Sequence, residues 1–239
     1  MTSDRYAAAV PFYDLQHEDG HVPVVRELLP PLLTGVGRSL VELGAGTGLI
    51  TELIARETPA EIYAVEPSLG MRSVLVSRLA ALGPDVLRRV TVLPCGALDV
   101  RVDEPVEAVV MISVLQSFAA AERAELWRVL AGLLVPGGRL VFNWRERATP
   151  VPGGLAVMDS YQVGRHTYEI AGQVLDVAGE SVSSRFVYRV LRGDVVVSED
   201  EVAGVNHWPA GEVLSSELKE HGFVPGEAPE GMHVWLLPE

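Results

Sequence analysis

Residues 40–51 read "LVELGAGTGLIT", and residues 61–71, after a short helical run, read "EIYAVEPSLGM". The glycines Gly44, Gly46 and Gly48 stand between an apolar strand pattern at 39–43 and a segment, 47–56, whose residues Leu49, Ile50, Leu53 and Ile54 share one helical face. In a strand–loop–helix unit, Gly44 and Gly46 let the backbone turn sharply and approach a ligand, and Gly48 lets the new helix pack closely. The next strand pattern, 61–66, ends in Glu66, 22 positions after Gly44. A carboxylate there accepts hydrogen bonds from both hydroxyls of a ribose, so the pattern implies a nucleoside ligand.

The spacing narrows the nucleoside. A dinucleotide fingerprint needs a third glycine at position 49, where this chain has Leu49. Glu42, two residues before the first glycine, would repel a pyrophosphate and either attract an ammonium or orient the loop, so the near end of the ligand is expected to be cationic. An NAD-dependent reductase would also need a Tyr–Lys pair, and Lys219, near the C-terminus, is the only lysine.

Outward from this unit, helices are expected at 3–16, 22–34, 69–82 and 121–134, and strands at 90–94, 106–113 and 138–144. Strands separated by helices in this rhythm imply an α/β, Rossmann-like, mostly parallel sheet covered on both faces. Residues 158–206 change character. Period-two alternation, β-branched residues and turns at Gly179 and Arg192-Gly193-Asp194 predict inserted antiparallel strands. A helix opening at Pro209 and a closing antiparallel pair, "FVPGE" and "MHVWLLP", complete the chain.

Composition excludes several classes. The 239 residues, 48% of them hydrophobic, suffice for one sizeable core, and a formal charge of −13 disfavours nucleic acid as a partner. The opening stretch lacks the basic start and apolar run of a signal peptide, and no window offers the ~18 apolar residues of a membrane helix. Cys95, the single cysteine, can form neither an internal disulfide nor a cysteine-based zinc site, so a reducing, cytoplasmic location with no membrane partner is expected. No metal site is read from the six histidines.

"VELGAGTG" resembles the first motif of class I S-adenosylmethionine-dependent methyltransferases, "VEPSLGM" their ribose-binding motif, and "LLVPGGRLVF" the helix–turn–strand leading into their fifth strand. The resemblance implies a seven-stranded sheet in the order 3-2-1-4-5-7-6, its last inserted strand antiparallel, with S-adenosyl-L-methionine across the carboxyl ends of strands 1, 2 and 4. It implies one methyltransferase domain over 1–239, an N-terminal helical lid at 1–35 carrying Tyr6 and Tyr13, and an antiparallel layer at 158–206 that either roofs the acceptor or forms the surface of a homodimer. Carried over residue by residue, Gly44, Ala45 and Gly46 underlie the methionine part, Gly48 and Glu42 complete the cofactor loop, and Glu66 holds the ribose. Pro67 and Met71 flank the adenine, Ala97 and Leu98 touch its edge, Ile112 and Ser113 approach the methyl group, and Tyr13 closes over the ligand.

The implied function is methyl transfer to nitrogen or oxygen of a small-molecule acceptor, an amine being preferred and a secondary metabolite expected. The family's Asn/Asp-Pro-Pro-aromatic motif for flipped bases is absent from "MISVLQSF". A protein that binds S-adenosylmethionine for another purpose is the alternative. Because a sulfonium already activates its methyl group, the chain mainly has to position a nucleophile and accept a proton. His166, His207 and Tyr161 are the candidate bases, with Gln116 able to orient the acceptor but not to deprotonate it.

Overall fold

The computed structural model describes residues 6–239. Among these residues, the body is a seven-stranded sheet made of β1 (Ser39–Leu43), β2 (Glu61–Val65), β3 (Val90–Leu93), β4 (Val106–Met111), β5 (Leu134–Asn143), β10 (Val224–Pro225) and β11 (Met232–Leu236). Its order is β3-β2-β1-β4-β5-β11-β10. The first five strands are parallel, and β11 runs antiparallel to both β5 and β10. Counted along the chain, β10 is the sixth strand of this sheet and β11 the seventh, so the order is the expected 3-2-1-4-5-7-6.

Successive residues of β1 serve opposite faces. Leu40 joins a core with Leu29 and Ile54, whereas Val41 joins one with Leu126, Trp127 and Phe142, and both are fully buried. A strand apolar on both sides can sit only in the middle of a sheet covered by helices on each face, which is why "SLVEL" reads as a continuous apolar run. The helices are α1 (Val10–Glu18), α2 (Val22–Leu32), α3 (Leu49–Glu57), α4 (Leu69–Leu82), α5 (Pro84–Arg89), α6 (Ala120–Leu133) and α7 (Gly211–Glu220). Ser68 caps α4 by accepting a hydrogen bond from the Met71 backbone N–H at 3.2 Å.

The expected helix at 3–16 begins only at Val10, after a turn at 6–9; residues 1–5 of that expectation and of the 1–35 lid lie outside the described residues. Strand 106–113 stops at Met111, because Ser113 takes a left-handed backbone, φ 58°, that cannot continue a ladder. The strand expected at 138–144 starts at Leu134, and α5 was not foreseen.

The inserted layer is a separate four-stranded antiparallel sheet: β6 (Ala156–Val163), β7 (His166–Ala178), β8 (Ser181–Arg192) and β9 (Val195–His207). It starts two residues before the expected 158. Its outer face is a lattice of charges, in which Arg189 bridges Glu169 and Glu199 on the flanking strands and Arg185 pairs with Glu201. Its inner face is aromatic and apolar, and Tyr168 and Tyr188 each pack on Phe12 of α1 with ring centroids 5.1 Å apart. The β7–β8 turn is fastened to the body. Arg123 of α6, fully buried, binds Glu180 of that turn at 2.8 Å and Glu217 of α7 at 2.8 Å, while Trp127 Nε1 donates to Glu217.

Candidate active site

The glycine loop follows β1, with Gly44, Gly46 and Gly48 all at positive φ. At Gly48 an added Cβ would lie 2.6 Å from Leu75 of α4, so this glycine serves the packing of α3 on α4. At Gly46 an added Cβ would meet the Tyr13 hydroxyl at 3.3 Å. The loop is thus bare on the side that α1 covers. Glu66 braces it: its carboxylate accepts from the Gly46 N–H at 2.9 Å and from the Ser68 N–H at 2.8 Å. A loop-bracing role and a ribose-binding role use different lone pairs of one carboxylate, so the first does not exclude the second.

Helix α1 is latched onto this loop. Asp14 accepts from the Thr47 hydroxyl and from Arg78, which also binds the Thr47 carbonyl at 3.0 Å and Glu52 at 3.0 Å. The neighbouring Tyr13 is thereby held over Gly46, and burial, with Tyr6 and Glu66 nearby, raises its phenol well above the usual range. Beneath it lies a small pocket bounded by Tyr13, His17, His21, Glu42, Ala45 and Ile112. Glu42 is 2% exposed and its Oε2 makes no close hydrogen bond; burial pushes its carboxyl up to about 7, the Thr51 hydroxyl opposing the rise and the repulsion of Glu66 adding to it. A buried carboxyl beside a side-chain-free loop is the chemistry that suits the cationic end of a ligand.

A second cavity, of about 1170 Å³, opens between this pocket and the inner face of the antiparallel sheet. That exceeds the ~300–1,000 Å³ usual for small-molecule sites. Ile170, Gly172, Phe186 and Tyr188 supply its apolar wall, and Ser113, Gln116 and Asn143 line it where it meets the body. His17 and His21 border both spaces. Their rings stack edge-on at 4.7 Å, and Tyr13 stacks on His17 at 4.1 Å.

The structure therefore brings together Tyr13, Glu42, Gly44, Ala45 and Ile112 in one pocket, with Gly46 and Glu66 joined by a hydrogen bond and Ser113 on the adjoining cavity. Gly46, Gly48, Glu66, Pro67, Met71, Ala97 and Leu98 border neither space; Glu66 and Met71 are buried, and Ala97 and Leu98 pack on the core behind β4. The candidate bases are not brought together. Tyr161 and His166 flank the β6–β7 turn, and His207, at the end of β9, pairs its Nδ1 with the Ser181 hydroxyl at 3.1 Å. None of the three borders either space: Tyr161 and His166 lie at the β6–β7 end of the sheet, whereas His207 stands between the cavity-lining Asn206 and Trp208 and turns to the opposite face by strand alternation. The sequence reading missed His17 and His21. Their four-residue spacing was the available signal; the expected lid drew attention to its tyrosines, and spacing alone does not tell which side chains of the segment face the cavity. Among the described residues no group of three or more His, Cys, Asp and Glu is arranged to hold a metal ion, and no helix is long and apolar enough to cross a membrane.

Residues 41–140 match a protein-family model described as a methyltransferase domain. An uncharacterized methyltransferase of Geobacillus kaustophilus is 27% identical over 236 residues, which cover 98% of this chain and 91% of that relative. Among solved structures, the sugar N-methyltransferase KedS8 from a Streptoalloteichus species superposes with a TM-score of 0.72 at 22% identity, covering 96% of this chain and 92% of its own. CalS10 of Micromonospora echinaspora, an amino pentose methyltransferase of calicheamicin biosynthesis solved with S-adenosylmethionine bound, gives 0.72 at 16% identity, covering 99% and 98%. At these identities the two structures speak for the fold.

Proposed function

We propose, from the match of residues 41–140 to a methyltransferase-domain model and the likeness to a methyltransferase over most of the chain, that the chain uses S-adenosylmethionine to methylate an amine nitrogen of a small molecule of the natural-product class. The observation that carries this reading is the meeting of two unlike spaces: an acidic pocket on the glycine loop and a larger, partly apolar cavity, with His21 and the Ile112–Ser113 step at their junction. Gly44, Ala45 and Gly46 would hold the methionine part of the cofactor, Glu42 its ammonium end and Glu66 its ribose. When bound, S-adenosylmethionine supplies a methyl group on a positively charged sulfur, ready for in-line transfer. The chain's own task is to seat the acceptor, keep water out and take up one proton.

The antiparallel sheet is read as the acceptor's roof rather than as a dimer surface, since its aromatic face lines the cavity and its outer face is a solvated charge lattice. The sugar and amino pentose methyltransferases of the same fold support an amine as the acceptor and secondary metabolism as the setting. The cytoplasm is the compartment that suits a single unpaired cysteine.

Isothermal calorimetry against S-adenosylmethionine, S-adenosylhomocysteine and NADH tests the cofactor, and release of S-adenosylhomocysteine with amino sugars and with phenols tests the acceptor. Micromolar binding of the first two without NADH, followed by turnover on amines, is the expected result. Binding of NADH, or turnover confined to phenols, would overturn it.

A further inference from the structure

Around Ser113 the structure assembles a connected set of groups that seating an acceptor does not by itself require. Ser113 carries the one positive φ among the described non-glycine residues, a conformation that persists only when neighbours hold it. Asn143, at the end of β5, is one holder: its Oδ1 accepts from the Ser113 backbone N–H at 2.6 Å. Gln116 is the other, its Nε2 donating to the Ser113 carbonyl at 2.6 Å. The same Asn143 amide turns its Nδ2 to the Ser113 hydroxyl and donates to Oγ at 3.4 Å. With Oγ accepting there, its own proton must point elsewhere, and His21 Nε2 stands 3.3 Å away.

His21 suits the role of proton acceptor. It is half-buried, and desolvation lowers its affinity for a proton; His17, stacked against it, is lowered to about 4 by burial and by His21 itself. Both rings are therefore neutral near pH 7, and one nitrogen of His21 keeps a lone pair. Ser113 faces the large cavity, one residue beyond Ile112 of the small pocket, which is where an acceptor's reacting atom must come.

We infer that Ser113 and His21 form a proton relay for the acceptor, set in direction by Asn143. The proton on the acceptor's heteroatom passes to Ser113 Oγ as the Ser113 hydroxyl proton passes to His21 Nε2, leaving a neutral serine and a His21 imidazolium that returns its proton to water in the cavity. Asn143 borders the cavity but spends both ends of its amide on Ser113, and it acts through Ser113 as a positioning residue. The relay rests on the methyl-transfer reading for its acceptor, but the hydrogen-bond direction it needs is a property of the protein alone.

That direction is read from the tautomer of His21 by long-range proton–nitrogen NMR on the full chain with labelled histidine, His21→Gln supplying the assignment. The expected result is Nδ1 protonated and Nε2 bare in wild type, with Ser113→Ala and Asn143→Ala each raising the Nε2-protonated fraction at least twofold and Ser113→Thr restoring the wild-type tautomer. Protonated Nε2 in wild type, or a tautomer that neither variant alters, overturns the relay. Calorimetry with S-adenosylmethionine on the same wild-type sample separates the two readings. Cofactor binding with the wrong tautomer refutes the relay alone, whereas the expected tautomer without cofactor binding refutes methyl transfer and with it the relay's acceptor.

Discussion

The two sheets of this chain end in opposite kinds of space. The parallel sheet closes on a tight, acidic pocket pinned under Tyr13 by the Asp14 latch, while the antiparallel sheet arches over about 1170 Å³. The first is built from backbone that cannot vary, since its glycines occupy conformations that side chains resist. The second is walled by side chains that can be exchanged without disturbing the ladder beneath them. A common cofactor and a variable acceptor call for that division of labour.

The sharpest way to break the contrast is Gly46→Val. A branched side chain at φ 56° and in contact with the Tyr13 hydroxyl should abolish the calorimetric signal with S-adenosylmethionine while the chain stays folded; retained binding would mean that the pocket is not where the cofactor sits. Next is Arg123→Ala, which leaves Glu180 and Glu217 without their shared partner. Stripping one partner from a buried ion network costs about 3–5 kcal/mol, and urea unfolding should show it, with the antiparallel sheet exchanging its amide hydrogens before the body does.

Glu42 gives a pH-dependent distinction. Its carboxyl is raised from 4.5 to about 7, so the folded chain holds this proton more tightly than the unfolded chain. The resulting stability is full below pH 4.5 and is lost as pH rises through about 7. Glu42→Gln should match wild type in acid and be the more stable at pH 8, by up to ~3 kcal/mol, in urea titrations without cofactor. A parallel fall of both proteins with pH would show the slope to come from elsewhere. The smallest effect belongs to the outer lattice, where Glu199→Gln should cost only ~0.2–1 kcal/mol because the Arg189–Glu199 pair is solvent-facing.

The same contrast governs what could be read in advance. The parallel body was legible because burial on both faces leaves continuous apolar runs such as "SLVEL" and "VEAVVM", and because the glycine loop and Glu66 are local features of one strand–loop–helix unit. The antiparallel layer was legible as strands but not as a wall, since alternation marks two faces without saying which one meets the body. Tyr161, His166 and His207 stood out as chemistry-bearing residues of that layer, yet the first two lie at the β6–β7 end away from the cavity and His207, between cavity-lining neighbours, faces the other way. Ser113 drew attention as a strand end, but its left-handed backbone and its contact with His21, 92 positions away, are tertiary facts.

One helix spans both halves. Phe12 is wedged between Tyr168 and Tyr188, Tyr13 covers Gly46, Asp14 grips Thr47, and Gln16 donates to Asp159 of β6 at 2.9 Å. Different sides of a nine-residue segment are thus committed to the glycine loop and to the antiparallel sheet. The helix is a shared wall: a substitution that reseats Phe12 between the tyrosines is felt at Tyr13 over Gly46, so the two spaces cannot be remodelled independently through α1.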